Sequence, residues 1–274
     1  MMKYAASIFM AGVMAMGLAF ASSASADEEW PLGVQAFSFR HFTLYEAIGL
    51  TRALGLNYVE SYPGQRLRPD SDVTISHELS DEDRQALLAY LDEMDMTLAA
   101  YGVVGLSANE DETRPIFEFA DAMGIEILSA NPHPDALDLV ESLAEEFGVY
   151  VAIHNHGPGA RYDSVDDVLN AVEGRNAYLG ACVDTGHFIR SEEPPHEAVE
   201  RLGERVHSLH LKDWTFGGPE TAVGEGDMDL EALAAALEAV GFEGPIMLEY
   251  ELDPENPGPG MARGVANWRE AAGG

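Results

Sequence analysis

The chain has 274 residues, 48 acidic against 15 basic side chains, a net charge of −33, 46% hydrophobic residues and one cysteine. That length and ordinary apolar content suit a folded protein with a substantial core and argue against disorder. The charge excludes nucleic acid and anionic membrane surfaces as partners, because phosphates are repelled, and a lone cysteine excludes a disulfide framework.

In chain order, Lys3 precedes an uncharged apolar run over 5–20, and Ala24-Ser25-Ala26 gives a small-x-small pattern just before Asp27. This pattern predicts a secretory signal peptide over 1–26, removed on export to the periplasm or the medium. The run is shorter than the ~20 residues of a membrane span. Its removal leaves Lys212 as the only lysine.

Residues 27–274 show no composition break and read as one domain. Short apolar runs at 32–37, 57–61, 97–103, 125–131, 150–156, 179–184, 206–212 and 246–251 are the expected strands. Helical patterns fall between them, at 44–54, 83–94, 113–123, 137–147, 165–172 and 230–240. Gly55, Gly124, Gly148 and Gly241 stand where helices end, and Ser80 stands where one begins. Eight βα units in about 250 residues predict an α/β fold, a (β/α)₈ TIM barrel. An open doubly wound sheet is the competing architecture, but "GVQAFSFRH" lacks the Gly-rich turn it needs after its first strand.

Barrel enzymes place their chemistry at the C-terminal ends of the strands. Here those ends read "VAIHNHG", "CVDTGH", "HLKDW" and "MLEYE", while the strand starts are plain and apolar. Alternation puts His154 with His156 on one face, Asp184 with Cys182, His210 with Lys212, and Glu249 with Glu251. Four neighbouring strands thus point His, Asp, His and Glu at one place, a ligand set suited to Mn²⁺, Zn²⁺, Fe²⁺ or Co²⁺.

The motifs "CVDTGH" at 182–187, "HLKD" at 210–213, "GEG" at 224–226 and "LEYE" at 248–251 resemble the xylose isomerase-like barrels of sugar isomerases, epimerases and inosose dehydratases. Endonuclease IV is a distant relative of that group. The resemblance implies one divalent metal ion held by His154, Asp184, His210 and Glu249. The family usually carries glutamate at the position of His154, which speaks against a two-glutamate epimerase mechanism in this chain. Exported proteins with "IHNH" resemble a branch of 3-keto-glycoside lyases and hydratases.

A divalent ion on the carbonyl and adjacent hydroxyl of a ketosugar stabilises an enediolate, and His154, His156 or Glu249 is placed to take the proton α to the carbonyl. Reprotonation then gives an isomer or epimer, and loss of the glycosidic oxygen gives β-elimination. Lys212 is expected to bind substrate or move a proton. Glu60, His133, His187 and Trp214 are the expected substrate contacts, with His41 another loop residue near the mouth. His77 and His196 read as surface residues and Cys182 as core packing. The expected partner is a small sugar or keto-glycoside. Two other readings stand beside this one. One is a non-catalytic periplasmic sugar-binding protein; the other is a phosphodiesterase of the endonuclease IV type, which the acidic surface opposes.

Overall fold

Eight short strands, each with every second residue turned inward, form the centre of the molecule. They are β1 (Leu32–Gln35), β2 (Tyr58–Ser61), β3 (Thr97–Leu106), β4 (Ile127–Pro132), β5 (Tyr150–His154), β6 (Leu179–Asp184), β7 (Val206–Leu211) and β8 (Ile246–Leu248). All pair in parallel with their chain neighbours, and β8 closes onto β1, with Leu32 opposite Ile246. The predicted (β/α)₈ barrel is the architecture observed. The computed structural model describes residues 30–273, so the expected signal peptide over 1–26 lies outside the described residues.

The outer layer consists of α1 (Leu44–Ala53), α2 (Asp81–Glu93), α3 (Glu110–Met123), α4 (Leu137–Phe147), α5 (Val165–Val172), α6 (Thr185–Arg190), α7 (Pro195–Leu202), α8 (Leu230–Val240) and α9 (Gly258–Ala272). Among these described helices, none is long and apolar enough to cross a membrane. Two cores follow from strand alternation. Val151 and Ile153, Leu179 and Val183, and Leu209 and Leu211 join the large cluster that also takes in the helices. Inside the barrel, Ala100, Ile127, Ala152 and Cys182 form a second, smaller cluster. Cys182 is thus a packing residue, as expected. Trp30 sits against Trp268 of α9 at a ring distance of 6.0 Å, and its indole N–H donates to Phe242 O at 2.8 Å. These contacts tie the two ends of the described chain together.

Several strands stop earlier than the apolar pattern predicts, and always at the C-terminal end. β5 was expected to reach His156, β7 Lys212 and β8 Glu251. Beyond β7 and β8 the backbone hands its hydrogen bonds to side chains: Lys212 N–H donates to Thr185 Oγ1 at 2.9 Å and Tyr250 N–H to Ser38 Oγ at 3.0 Å. Glu251 N–H donates to Glu220 Oε1 at 2.6 Å. β1 ends at Gln35 rather than at 37 because the Gln35 Oε1 accepts from Phe37 N–H at 3.0 Å and turns the chain into a 3₁₀ segment. The ladder therefore opens at one end of the barrel. Everything that follows happens at that end.

Candidate metal centre and active site

The last residues of β5 and β6, the fifth residue of β7 and the residue following β8 bring His154, Asp184, His210 and Glu249 together. One donor atom from each lies within 4.8 Å of all the others, and all four residues are buried. His154 Nε2 lies 3.0 Å from His210 Nδ1 and 3.5 Å from Asp184 Oδ2, and His210 Nδ1 lies 3.3 Å from Glu249 Oε2. The spread is close to twice the ~2–2.3 Å bond lengths of a divalent ion, so one centre can serve all four. These are the four residues singled out from strand parity and motif. Cys182 Sγ also lies within 4.8 Å of both imidazoles.

Asp184 carries the clearest mark of a ligand. Its Oδ1 caps α6 by accepting from His187 N–H at 2.7 Å, while Oδ2 is buried and has no hydrogen-bond partner among the described residues. Burial opposes its charge, yet the neighbouring His187, His154 and Lys212 hold the carboxyl well below the usual carboxylate range. An ionised, buried, half-satisfied oxygen beside two imidazoles is an arrangement that a cation completes. Glu249 is similar: against the effect of burial, Lys212 and His210 pull it down to about 2. Two ionised carboxylates and two imidazoles fit a divalent transition metal or zinc.

The motifs have distinct tasks. In "DTGH", the Thr185 hydroxyl donates to Lys212 O at 2.6 Å and so ties the end of β6 to that of β7. Gly186 leaves room for the lysine stem, since a Cβ there would sit 2.9 Å from Lys212 Cγ. In "HLKD", Lys212 is buried and bridges Glu249, at 3.7 Å, and Glu251. Burial disfavours its charge, but Glu249, Asp184 and Glu251 outweigh that and raise its pKa, so it stays an ammonium. Asp213 braces a loop: its Oδ2 accepts from Gly224 and Gly226 N–H, both at 2.9 Å, which fixes the "GEG" turn.

His156 lies beside the cluster, with its Nδ1 3.2 Å from His154 Nδ1. Burial, then His154, pushes its pKa down to about 4, so the ring is neutral. Of the two histidines offered by the end of β5, His154 joins the four-donor group and His156 lines the open space above it. That space is a cavity of about 320 Å³ walled by Phe37, Tyr62, His156, His187, Glu249 and Glu251, among others.

The expected substrate contacts divide. His187 lines the cavity. Glu60 does not: it is fully buried, and its Oε2 takes the His210 Nε2 hydrogen bond at 2.8 Å. It orients the His210 ring and does not line the cavity. His133 caps a 3₁₀ turn by accepting from Asp135 N–H at 3.2 Å, and it borders a separate groove with Asn131 and Arg161. His41 is exposed and paired with Glu255 at 2.7 Å. Trp214 stands outside the cavity, its ring 4.8 Å from the Arg190 guanidinium. His77 and His196 are partly exposed, as expected of surface residues.

Sequence reasoning missed Phe37 and Tyr62, whose rings meet edge to face at 5.2 Å in the cavity wall; their signal was position, just past the ends of β1 and β2. It also missed Asn155. This residue is buried and clamps the Asp184 backbone, donating to its carbonyl at 3.0 Å and accepting from its N–H at 2.8 Å.

A family model described as "Xylose isomerase-like TIM barrel" matches residues 48–271. The chain belongs to this family. An inosose dehydratase of Clostridium beijerinckii is 29% identical over 145 residues, 46% of this chain and 48% of that protein. The chain spans about half the length of the curated relatives it matches. An uncharacterised protein from Parabacteroides distasonis, known from its crystal structure, superimposes with a TM-score of 0.72 at 30% identity. That match covers 88% of this chain and 97% of the other. The IolI protein, crystallised with a bound zinc atom, has a TM-score of 0.71 at 17% identity, over 88% and 98% of the two chains, a likeness of fold.

Proposed function

We propose that this xylose isomerase-like barrel is an exported, divalent-metal-dependent enzyme that removes the proton α to the carbonyl of a neutral keto-sugar and then expels a β-oxygen leaving group. The observation that carries this reading is the convergence of four buried donors around the unpartnered Asp184 Oδ2. His154, Asp184, His210 and Glu249 would hold the ion; the IolI protein, of the same fold, binds zinc. When bound, a divalent ion there supplies Lewis-acid stabilisation of the enediolate.

The chain's own groups account for the rest. With Nε2 turned to the donor cluster, His154 carries its proton on Nδ1 and donates it to His156 Nδ1, leaving the neutral His156 to present its Nε2–H to the cavity. His156 is then a hydrogen-bond donor, not a base. Lys212, held as an ammonium, is no base either. The acceptors that the cavity offers for the α-proton are the carboxylates of Glu249 and Glu251, which Lys212 bridges. Phe37 and Tyr62 give the apolar wall against which a sugar ring packs. Elimination is preferred over reprotonation because the curated relatives are dehydratases, which expel an oxygen β to a carbonyl.

Export rests on the charge, apolar and small-residue pattern of residues 1–26. The test of the reaction is incubation with a 3-keto-glucoside and saturating Mn²⁺. Release of the aglycone is the expected result. An unreleased stereoisomer would indicate epimerisation, and no turnover across ketosugars would leave a sugar-binding barrel.

A further inference from the structure

Arg190 ends α6, one turn after His187, and is exposed. Its Nη1 lies 3.0 Å from His187 Nδ1. A guanidinium carries only donors and does not lose its proton. His187 Nδ1 must therefore be the acceptor, and the proton of the neutral imidazole belongs on Nε2. The Nε2 side lies 3.8 Å from Asp184 Oδ2, and the ring stacks on His156 at 5.2 Å and 23°. Both imidazoles line the cavity.

The guanidinium is itself held in place. It lies 4.8 Å from the Trp214 ring centroid, within cation–π range. The Trp214 indole N–H donates to Gly218 O at 2.6 Å, which fixes the ring. On the other side, Gly157 leaves space that a Cβ would close, since it would approach the guanidinium carbon to 2.7 Å. Trp214, Gly157 and Arg190 thus lie outside the reacting groups, but all bear on one nitrogen of His187.

We propose that Arg190 is a positioning residue that locks His187 in the Nε2–H tautomer, so that the cavity meets a fixed hydrogen-bond donor there and never a base. The tautomer follows from the hydrogen bond alone. Its consequence, a donor aimed at an oxygen of the bound keto-sugar, rests on the function proposed above. Trp214 takes part as the platform for Arg190.

The experiment is nitrogen-15 NMR of the histidine rings in the Zn²⁺-loaded protein near neutral pH, with His187 assigned from His187→Gln. The expected spectrum has a protonated Nε2 and an unprotonated Nδ1 at His187. Arg190→Lys, which keeps a donor, retains this pattern; Arg190→Leu gives mixed tautomers, and KM for the 3-keto-glucoside rises about fivefold to tenfold with Zn²⁺ affinity unchanged. A protonated Nδ1 in the native protein, or an unaltered tautomer in Arg190→Leu, overturns the proposal. The expected tautomer in a protein that turns over no ketosugar upholds it and overturns the reaction instead.

Discussion

Glu60 is the residue whose role changes most once its surroundings are known. A carboxylate at the end of a strand reads in sequence as a sugar contact or an arginine partner. It is neither, because its partner is His210, 150 positions away. With Nε2–H donated to Glu60, His210 presents Nδ1 to the other donors, and the carboxylate both fixes the ring and would strengthen it as a ligand of the proposed metal ion. Glu60→Gln is expected to lower Zn²⁺ affinity by about 10- to 100-fold while the fold persists, measured by competition with a chelator. Unchanged affinity would reduce Glu60 to a space-filling group. The four donors were legible because each sits at a strand end where parity dictates direction, and because the family resemblance chose His154 over His156 and Glu249 over Glu251. Glu60, Asn155 and Arg190 were not, because parity says which way a side chain points and nothing about which distant group it meets.

At the scale of elements, the helices with strong punctuation were read to the residue. Ser164 caps α5 by accepting from Asp167 N–H, and Gly148 and Gly241 end α4 and α8 with φ of 67° and 69°. α2 and α3 begin earlier than expected, at Asp81 and Glu110, because Ser80 and Asn109 act as caps immediately before them. α6 and α7 are short, and α9 contains Gly258, Gly260 and Gly264, so none gave a clear periodic signal. Strand ends were overrun where side chains replace the ladder, a contact that only the closed barrel creates. β7 holds a second surprise, since the register slips between Ala181 and Cys182 beside it. His207, at the opposite end of the barrel from the site, contacts the Tyr150 ring edge on at 4.9 Å, and its Nε2 has no partner among the described residues. Burial, with Arg205 nearby, pushes its pKa from 6.5 down to about 4. A histidine with a lowered folded pKa takes up its proton more readily when unfolded. Its contribution is therefore complete above about pH 6.5 and is lost as pH falls towards 4, on the order of 3 kcal/mol at most. Denaturant unfolding of wild type and His207→Phe should diverge in pH dependence across that window. Parallel curves would refute the assignment.

For the whole molecule, the charge of −33 and the buried cluster belong together. Asp184, Glu249 and Glu251 crowd one end of the barrel with Lys212 the sole lysine in the described chain, an imbalance that the proposed dication would offset. A surface with this excess of acidic groups repels phosphate-bearing polymers and does not oppose the neutral sugar proposed as substrate. Fold class was legible from the strand count and the polar strand ends, since a parallel barrel leaves few other places for such residues. The most direct measurement is calorimetric titration of Zn²⁺ or Mn²⁺ into the protein, in competition with a chelator, for wild type, Asp184→Asn and His210→Ala. The account predicts one tight ion per chain in the wild type and a loss of more than about 100-fold in both variants. Binding that is absent from the wild type, or equally tight in the variants, would contradict it.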